Sequence, residues 1–281
     1  MTTQPAKPEK PWALRLTPPF PTVASRLLAM VGNENVSAKE IAGLIQMDPT
    51  FTAELLRIAN SALFRFTREV TSVPHAVTLL GLERVKSVAT VVAMNTWISS
   101  AIKIGALRRI WVHSLVTAML CEEAARSIGL PGEMAYTAGL LHNLGSLGLM
   151  SAYPDPYSRM LDVSTEFGFD LLETERDLFE IDHCAAGAYL AREWSFPDEL
   201  VMVTLEHHQQ PGEGERTMLN VVQVGWRLAD VIGFQAFPLE REWQYADLLG
   251  FLPAQQTESW LELGQEEAKV RIMLRLRDMQ A

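Results

Sequence analysis

The placement of proline constrains this chain more than any other feature. Pro131, Pro154, Pro197 and Pro211 fall between stretches whose apolar residues recur at helical spacing. A proline inside a helix removes a backbone hydrogen bond and clashes with the preceding turn, so these four mark helix boundaries. No segment between them shows the period-two alternation of a half-buried strand. The expected fold class is therefore all-α.

Local signals divide the chain further. Pro18-Pro19-Phe20-Pro21 leads into a first helix over about 22–31, ended by Gly32-Asn33. Ser37 and Glu40 have the spacing of a capping box ahead of the stripe Ile41, Leu44 and Ile45. Asp48 is placed to cap a third helix with Pro49 in its first turn, and Asn60-Ser61 closes it. Val73 to Leu80 reads as a helix stopped by Gly81, with His75 exposed on it, and Arg84 to about Ser99 as another. Longer helices are expected near 107–127, 133–150, 156–167, 170–181, 184–195, 198–208 and 216–233, with a shorter set between 243 and 279.

At 281 residues the chain has room for one large domain or two closely packed ones. Its 48% hydrophobic and 21% charged composition is that of an ordinary globular protein. No apolar stretch reaches the ~18 residues of a membrane span, and MTTQPAKPEKPW has no apolar signal region, so the cytoplasm is the expected location. Cys121 and Cys184 form no CxxC pair and read as small core residues. A formal charge of −10 opposes a dedicated nucleic-acid binder. Charge is unevenly spread: Arg84, Lys86, Lys103, Arg108 and Arg109 against Glu83 give residues 83–109 a net +4, a candidate partner or phosphate surface. Residues 153–183 carry a net −7 and read as a solvated face.

Five of the six histidines fall at intervals of roughly one helix-turn-helix, as His113, His142, His183 and the pair His207-His208, followed by Asp230. Side chains so spaced can converge from successive helices, and imidazole with carboxylate is a ligand set for zinc, iron or manganese. Asn143 follows His142 where a second anionic ligand would otherwise stand. Gly139, Gly145 and Gly148 surround the doublet and are read as sites of tight helix packing, and Asp230 is one turn from Arg227, with which it could form a surface ion pair.

With these residues in view, the segments LTPPFPTVASRLLAMV, IAGLIQMDPTFTAELLRIANSALF and TSVPHAVTLLGLERVKSV closely resemble the opening of HDOD domains, the HD-related output domains of bacterial signalling proteins. The second half resembles the wider HD superfamily of metal-dependent phosphohydrolases, most closely its HD-GYP branch, and together the likeness covers roughly residues 16–235. It implies a two-lobed HD-like helical bundle with a short helical C-terminal extension. The expected divisions are a Pro-rich leader over 1–15, an N-terminal lobe over 16–106, an HD-like lobe over 107–235 and the extension over 236–281. By position, His113, His142, His183, His207, His208 and Asp230 correspond to ligands that hold one to three divalent metals in that superfamily. Asn143 replaces the aspartate of the His-Asp doublet, Ser146 stands where a lysine commonly follows, and no Gly-Tyr-Pro loop follows His207-His208.

Asparagine keeps one carbonyl acceptor but lacks the charge needed to bridge two cations. The expectation is thus a non-catalytic regulatory module with a degenerate metal site and no resident cofactor, binding a signalling protein or small ligand in trans. A single divalent zinc, iron or manganese held by His113, His142 and Asp230 remains chemically allowed, since three N/O ligands with an open position suffice. Two alternatives stay open: a metal-dependent phosphohydrolase of nucleotides or cyclic dinucleotides with an altered site, and a DNA-binding regulator using Ser37 to Phe64 as a helix-turn-helix. The net charge of zero over residues 37–66 speaks against the latter.

Overall fold

A computed structural model describes residues 9–30, 36–61, 64, 66, 69–99, 105–238 and 241–280. The described residues are helical, without strands. A 3₁₀ turn at Trp12–Leu14 precedes α1 (Thr22–Ala29), α2 (Ala38–Gln46), α3 (Pro49–Ala59), α4 (Val73–Leu80) and α5 (Leu82–Ile98). There follow α6 (Gly105–Ser127), α7 (Gly132–Leu141), α8 (Leu144–Ala152), α9 (Pro154–Phe167), α10 (Leu171–Phe179), α11 (His183–Glu193), α12 (Asp198–Glu206) and α13 (Met218–Val231). The chain closes with α14 (Tyr245–Gly250), a 3₁₀ turn at Trp260–Leu263 and α15 (Gln265–Gln280).

Caps set the first helices where the local chemistry places them. Ser37 and Glu40 form the reciprocal capping box of α2, and the Asp48 carboxylate accepts from Phe51 N at 3.0 Å to start α3. Asn60 does more than end α3: its amide donates to Leu56 O and Val70 O, and its Oδ1 accepts from Val70 N, latching the return of the chain. Arg57 pairs with Glu54.

Helices α1 to α5 pack on one another, and α5 joins them to the remainder by lying on α7. Around α6, the longest helix, pack α7 and α13, while α8, α11 and α12 form an adjoining layer. Small residues permit the close approaches. A Cβ on Gly145 would stand 1.9 Å from His183 O, and one on Gly225 would meet Cys121 Sγ at 2.4 Å. The glycines around the doublet are packing residues, as expected, and both cysteines are free and buried. Burial raises the Cys121 thiol's pKa far above its usual value, which suits an inert core residue.

Three boundaries near the site differ from the expectation, as does the exposure of His75. The segment 133–150 is two helices, broken at His142-Asn143, where Asn143 takes φ −92°, ψ 23°; the doublet therefore sits on a corner. α10 stops at Phe179 because Glu180 turns left-handed at φ 58°. α12 stops at Glu206, leaving His207 and His208 in the following turn. His75 is half-buried.

Candidate functional site

Each of the five histidines enters the same interior from a different support. His113 comes from the middle of α6, His142 from the α7–α8 corner, His183 from the first position of α11, and His207-His208 from the turn after α12. His113, His142, His183 and His207 are buried and His208 is partly exposed. Ring centroids are 5.5 Å apart for His113 and His142, 5.1 Å for His142 and His207, and 4.8 Å for His183 and His208.

Four of the rings are anchored through Nδ1, three of them on backbone carbonyls. Nδ1 of His113 meets Phe234 O at 2.9 Å, that of His142 meets Gly139 O at 2.6 Å, and that of His207 meets Thr204 O at 3.1 Å. A carbonyl only accepts, so Nδ1 carries the proton and Nε2 of each neutral ring keeps its lone pair. His183 is anchored by an anion, for Glu175 Oε2 accepts from both its Nδ1 and its backbone N at 2.7 Å. Tyr157 donates to the other oxygen of Glu175.

The lone pairs face inward. His183 Nε2 lies 3.3 Å from His207 Nε2 and 3.0 Å from His208 Nε2, and the buried Nε2 atoms of His113 and His142 have no hydrogen-bond partner. Burial opposes protonation of His113, whose pKa falls to about 4, and burial with neighbouring imidazoles takes His142 and His207 well below the usual range. Burial also acts against the His183 imidazolium, but the Glu175 carboxylate outweighs it and raises the pKa well above the usual value. Two chemistries reconcile three converging nitrogens: one cation accepting all three, or a protonated His183 donating Nε2–H to a neighbour.

A single divalent ion fits His183, His207 and His208, because nitrogens about 2.1 Å from a tetrahedral zinc lie about 3.4 Å apart. Cys184 lies close to this set yet does not belong to it. Its Sγ is 4.0 Å from His207 Nδ1, the nitrogen committed to Thr204, and so approaches the ring from the wrong edge. The trio expected from the sequence is less convergent: Asp230 Oδ1 lies 3.4 Å from His113 Nδ1, the nitrogen bonded to Phe234 O, and not on the Nε2 side. A pair of bridged cations does not fit. Asn143 offers one neutral carbonyl oxygen and its buried Nδ2 has no acceptor, while Glu175 is engaged by Tyr157 and His183.

Several residues that shape the cage are not apparent in the sequence as ligands. Arg227 is 1% exposed and so not a surface residue: its guanidinium donates to the carbonyls of His208 and Gln209 at 2.9 and 3.2 Å, and Trp226 Nε1 donates to His207 O at 2.8 Å. These donors satisfy carbonyls left open by the end of α12. Phe237 stacks on His183 and meets His113 edge-on. Glu175, one of the acids read as a solvated face, is wholly buried. Its signal was the spacing Leu171, Glu175, Phe179, which puts it on the apolar face of α10.

Of the described basic residues in 83–109, two are paired within the chain. Arg84 bridges Glu122 and Glu133, and buried Lys86 pairs with Glu83. Arg108 and Arg109 are exposed, and Lys103 lies outside the described residues.

The comparisons with known proteins agree with this fold. The family model of the HDOD domain matches residues 17–210. The chain belongs to the HDOD family. A protein of Treponema pallidum (strain Nichols), described as uncharacterized, is 25% identical over 197 residues, which is 68% of this HDOD chain and 38% of that protein. This chain therefore matches well under half of that relative's length. An HDOD domain protein of unknown function from Geobacter sulfurreducens has a TM-score of 0.71 at 20% identity, covering 93% of both chains. A Shewanella amazonensis SB2B protein provisionally assigned as a phosphohydrolase has 0.71 at 23%, covering 96% of this chain and 97% of its own. At these identities the two structures bear on the HDOD fold alone. No helix among the described residues is long and apolar enough to cross a membrane.

Proposed function

We propose that this HDOD protein is a non-catalytic signalling module that acts by binding a partner protein or small ligand. The observation that carries the reading is Asn143 at the α7–α8 corner. Hydrolysis by paired metals needs an anionic oxygen that holds both cations while they polarise phosphate and acidify water. A neutral amide forfeits that charge, a loss of several kcal/mol in a partly desolvated site. Among the described residues no nearby carboxylate replaces it, since Glu175 is spent on Tyr157 and His183 and Asp230 Oδ1 lies beside the proton-bearing Nδ1 of His113.

What the cage retains is a set of inward-facing ring nitrogens. A single ion on His183, His207 and His208 would act there as a Lewis acid and structural tie. The remaining residues hold the rings: Glu175 orients His183, Arg227 and Trp226 fix the His207-His208 turn, and Phe237 covers the interior. The reading is tested by incubating the purified protein with manganese, ferrous iron or zinc and following cleavage of a generic aryl phosphodiester. No turnover above buffer is expected. Metal-dependent turnover that disappears in His142→Ala would overturn it in favour of a phosphohydrolase.

A further inference from the structure

Two surfaces distant in sequence have complementary chemistry. The first is a groove of about 860 Å³ between α9, α10 and the first 3₁₀ turn, whose lining includes Trp12, Val163, Phe169 and Leu178. These four side chains are 38 to 53% exposed. The groove's rim carries Asp170, Glu173 and Asp177 against a single cation, Arg159. The second is the outer face of α15, where Val270, Met273 and Leu274 recur at helical spacing and stand 44 to 55% exposed. Between Lys269 and Arg277 that helix holds Lys269, Arg271, Arg275 and Arg277 and no acid. Its inner face is already used, with Ala268 and Ile272 buried and Arg275 bound to Glu122.

We propose that α15 of one copy of this chain docks in the α9–α10 groove of another. Three lines of argument converge on a second copy as the occupant. An apolar floor with an acidic rim fits a helix with an exposed apolar stripe flanked by cations, and α15 offers Lys269 together with Arg271 and Arg277, whose partners Glu267 and Asp278 are surface ion pairs on the same helix. Its 16 residues span about 24 Å, a length suited to lying along two packed helices. Exposed apolar side chains clustered on both faces lose unfavourable water contact together when paired. Because the two faces differ, the contact is heterologous, so a pair still has one free groove and one free α15, and assembly continues into rings or open chains. The groove walls are also the helices that carry Tyr157 and Glu175 inward.

Sedimentation velocity over a wide concentration range tests the proposal with two variants altered only at exposed positions: Val163→Glu with Leu178→Glu in the groove, and Val270→Glu with Met273→Glu on α15. The wild type is expected to self-associate, and to do so at least about tenfold more weakly in high salt, where rim charges are screened. Each variant alone is expected to stay monomeric. Mixed, the two should form a 1:1 complex that grows no further, because one supplies α15 and the other the groove. A monomeric wild type at every concentration overturns the proposal, and so does a mixture that does not associate. Self-association of the α15 variant alone would instead mean that the groove pairs with itself. A monomer whose α15 variant loses binding to anionic vesicles would assign that face to a lipid surface.

Discussion

Two buried polar centres lie in this bundle, and they are settled in opposite ways. Around Glu122, 1% exposed, three guanidiniums converge: Arg84 from α5, Arg126 one turn along α6, and Arg275 from α15. Charge meets charge there, and the knot ties three parts of the chain. In the imidazole cage the outward nitrogens are tied to carbonyls or Glu175, while the inward nitrogens face one another. A centre whose polar groups are consumed internally explains itself by stability. A centre whose inward nitrogens face one another gains less from its own contacts, and stability measurements should separate the two.

The largest expected effect lies in the frame of the cage. Gly145→Ala forces a Cβ onto the backbone of His183 and should cost about 3–5 kcal/mol or prevent folding, read by denaturant unfolding. Glu122→Ala follows at about 2–3 kcal/mol, less than a fully buried pair because its arginines keep partial solvent access. Burial raises the pKa of Glu122, but Arg275, Arg84 and Arg126 outweigh it and hold the carboxyl below its ordinary 4.5. Its contribution is thus present above pH 4.5 and is lost as pH falls through the lower folded value. Acid unfolding of Glu122→Gln should accordingly show a shallower dependence in that range than the wild type.

A moderate effect is expected from Glu175→Gln, about 1–3 kcal/mol, because an amide leaves both Tyr157 and His183 with a poorer acceptor. The accompanying shift should appear in the His183 ring resonances by NMR. The smallest change belongs to the cage itself. His142→Phe removes an orphaned Nε2 along with one bond to Gly139 O and should alter stability by no more than about 1 kcal/mol. A loss as large as that of Glu122→Ala would erase the distinction between the two centres.

Much of the scaffold was legible because local chemistry governs it. The Ser37–Glu40 box, the Asp48 cap and the helical spacing act within a few residues, and the family resemblance placed all five histidines at one interior. What escaped depends on which helix arrives opposite. The acid at position 175 shares a block with eight others, and only its place between Leu171 and Phe179 distinguishes it. Arg227 has Asp230 one turn away, yet its guanidinium reaches the carbonyls of a turn 18 and 19 residues earlier. The break at 142–143 carries no proline and no strong cap, so apolar periodicity runs straight through it. That Asp230 approaches His113 beside Nδ1 was illegible for a related reason: spacing places a histidine on a helix face but does not say which ring nitrogen is already bonded.

Metal content by mass spectrometry, on wild type and Asn143→Asp purified without chelator and then loaded with zinc or manganese, tests the central claim most directly. The account predicts at most one ion per chain in the wild type and an additional ion in the variant, because the restored carboxylate supplies the missing bridge. Two ions per chain in the wild type, unchanged in the variant, would contradict it.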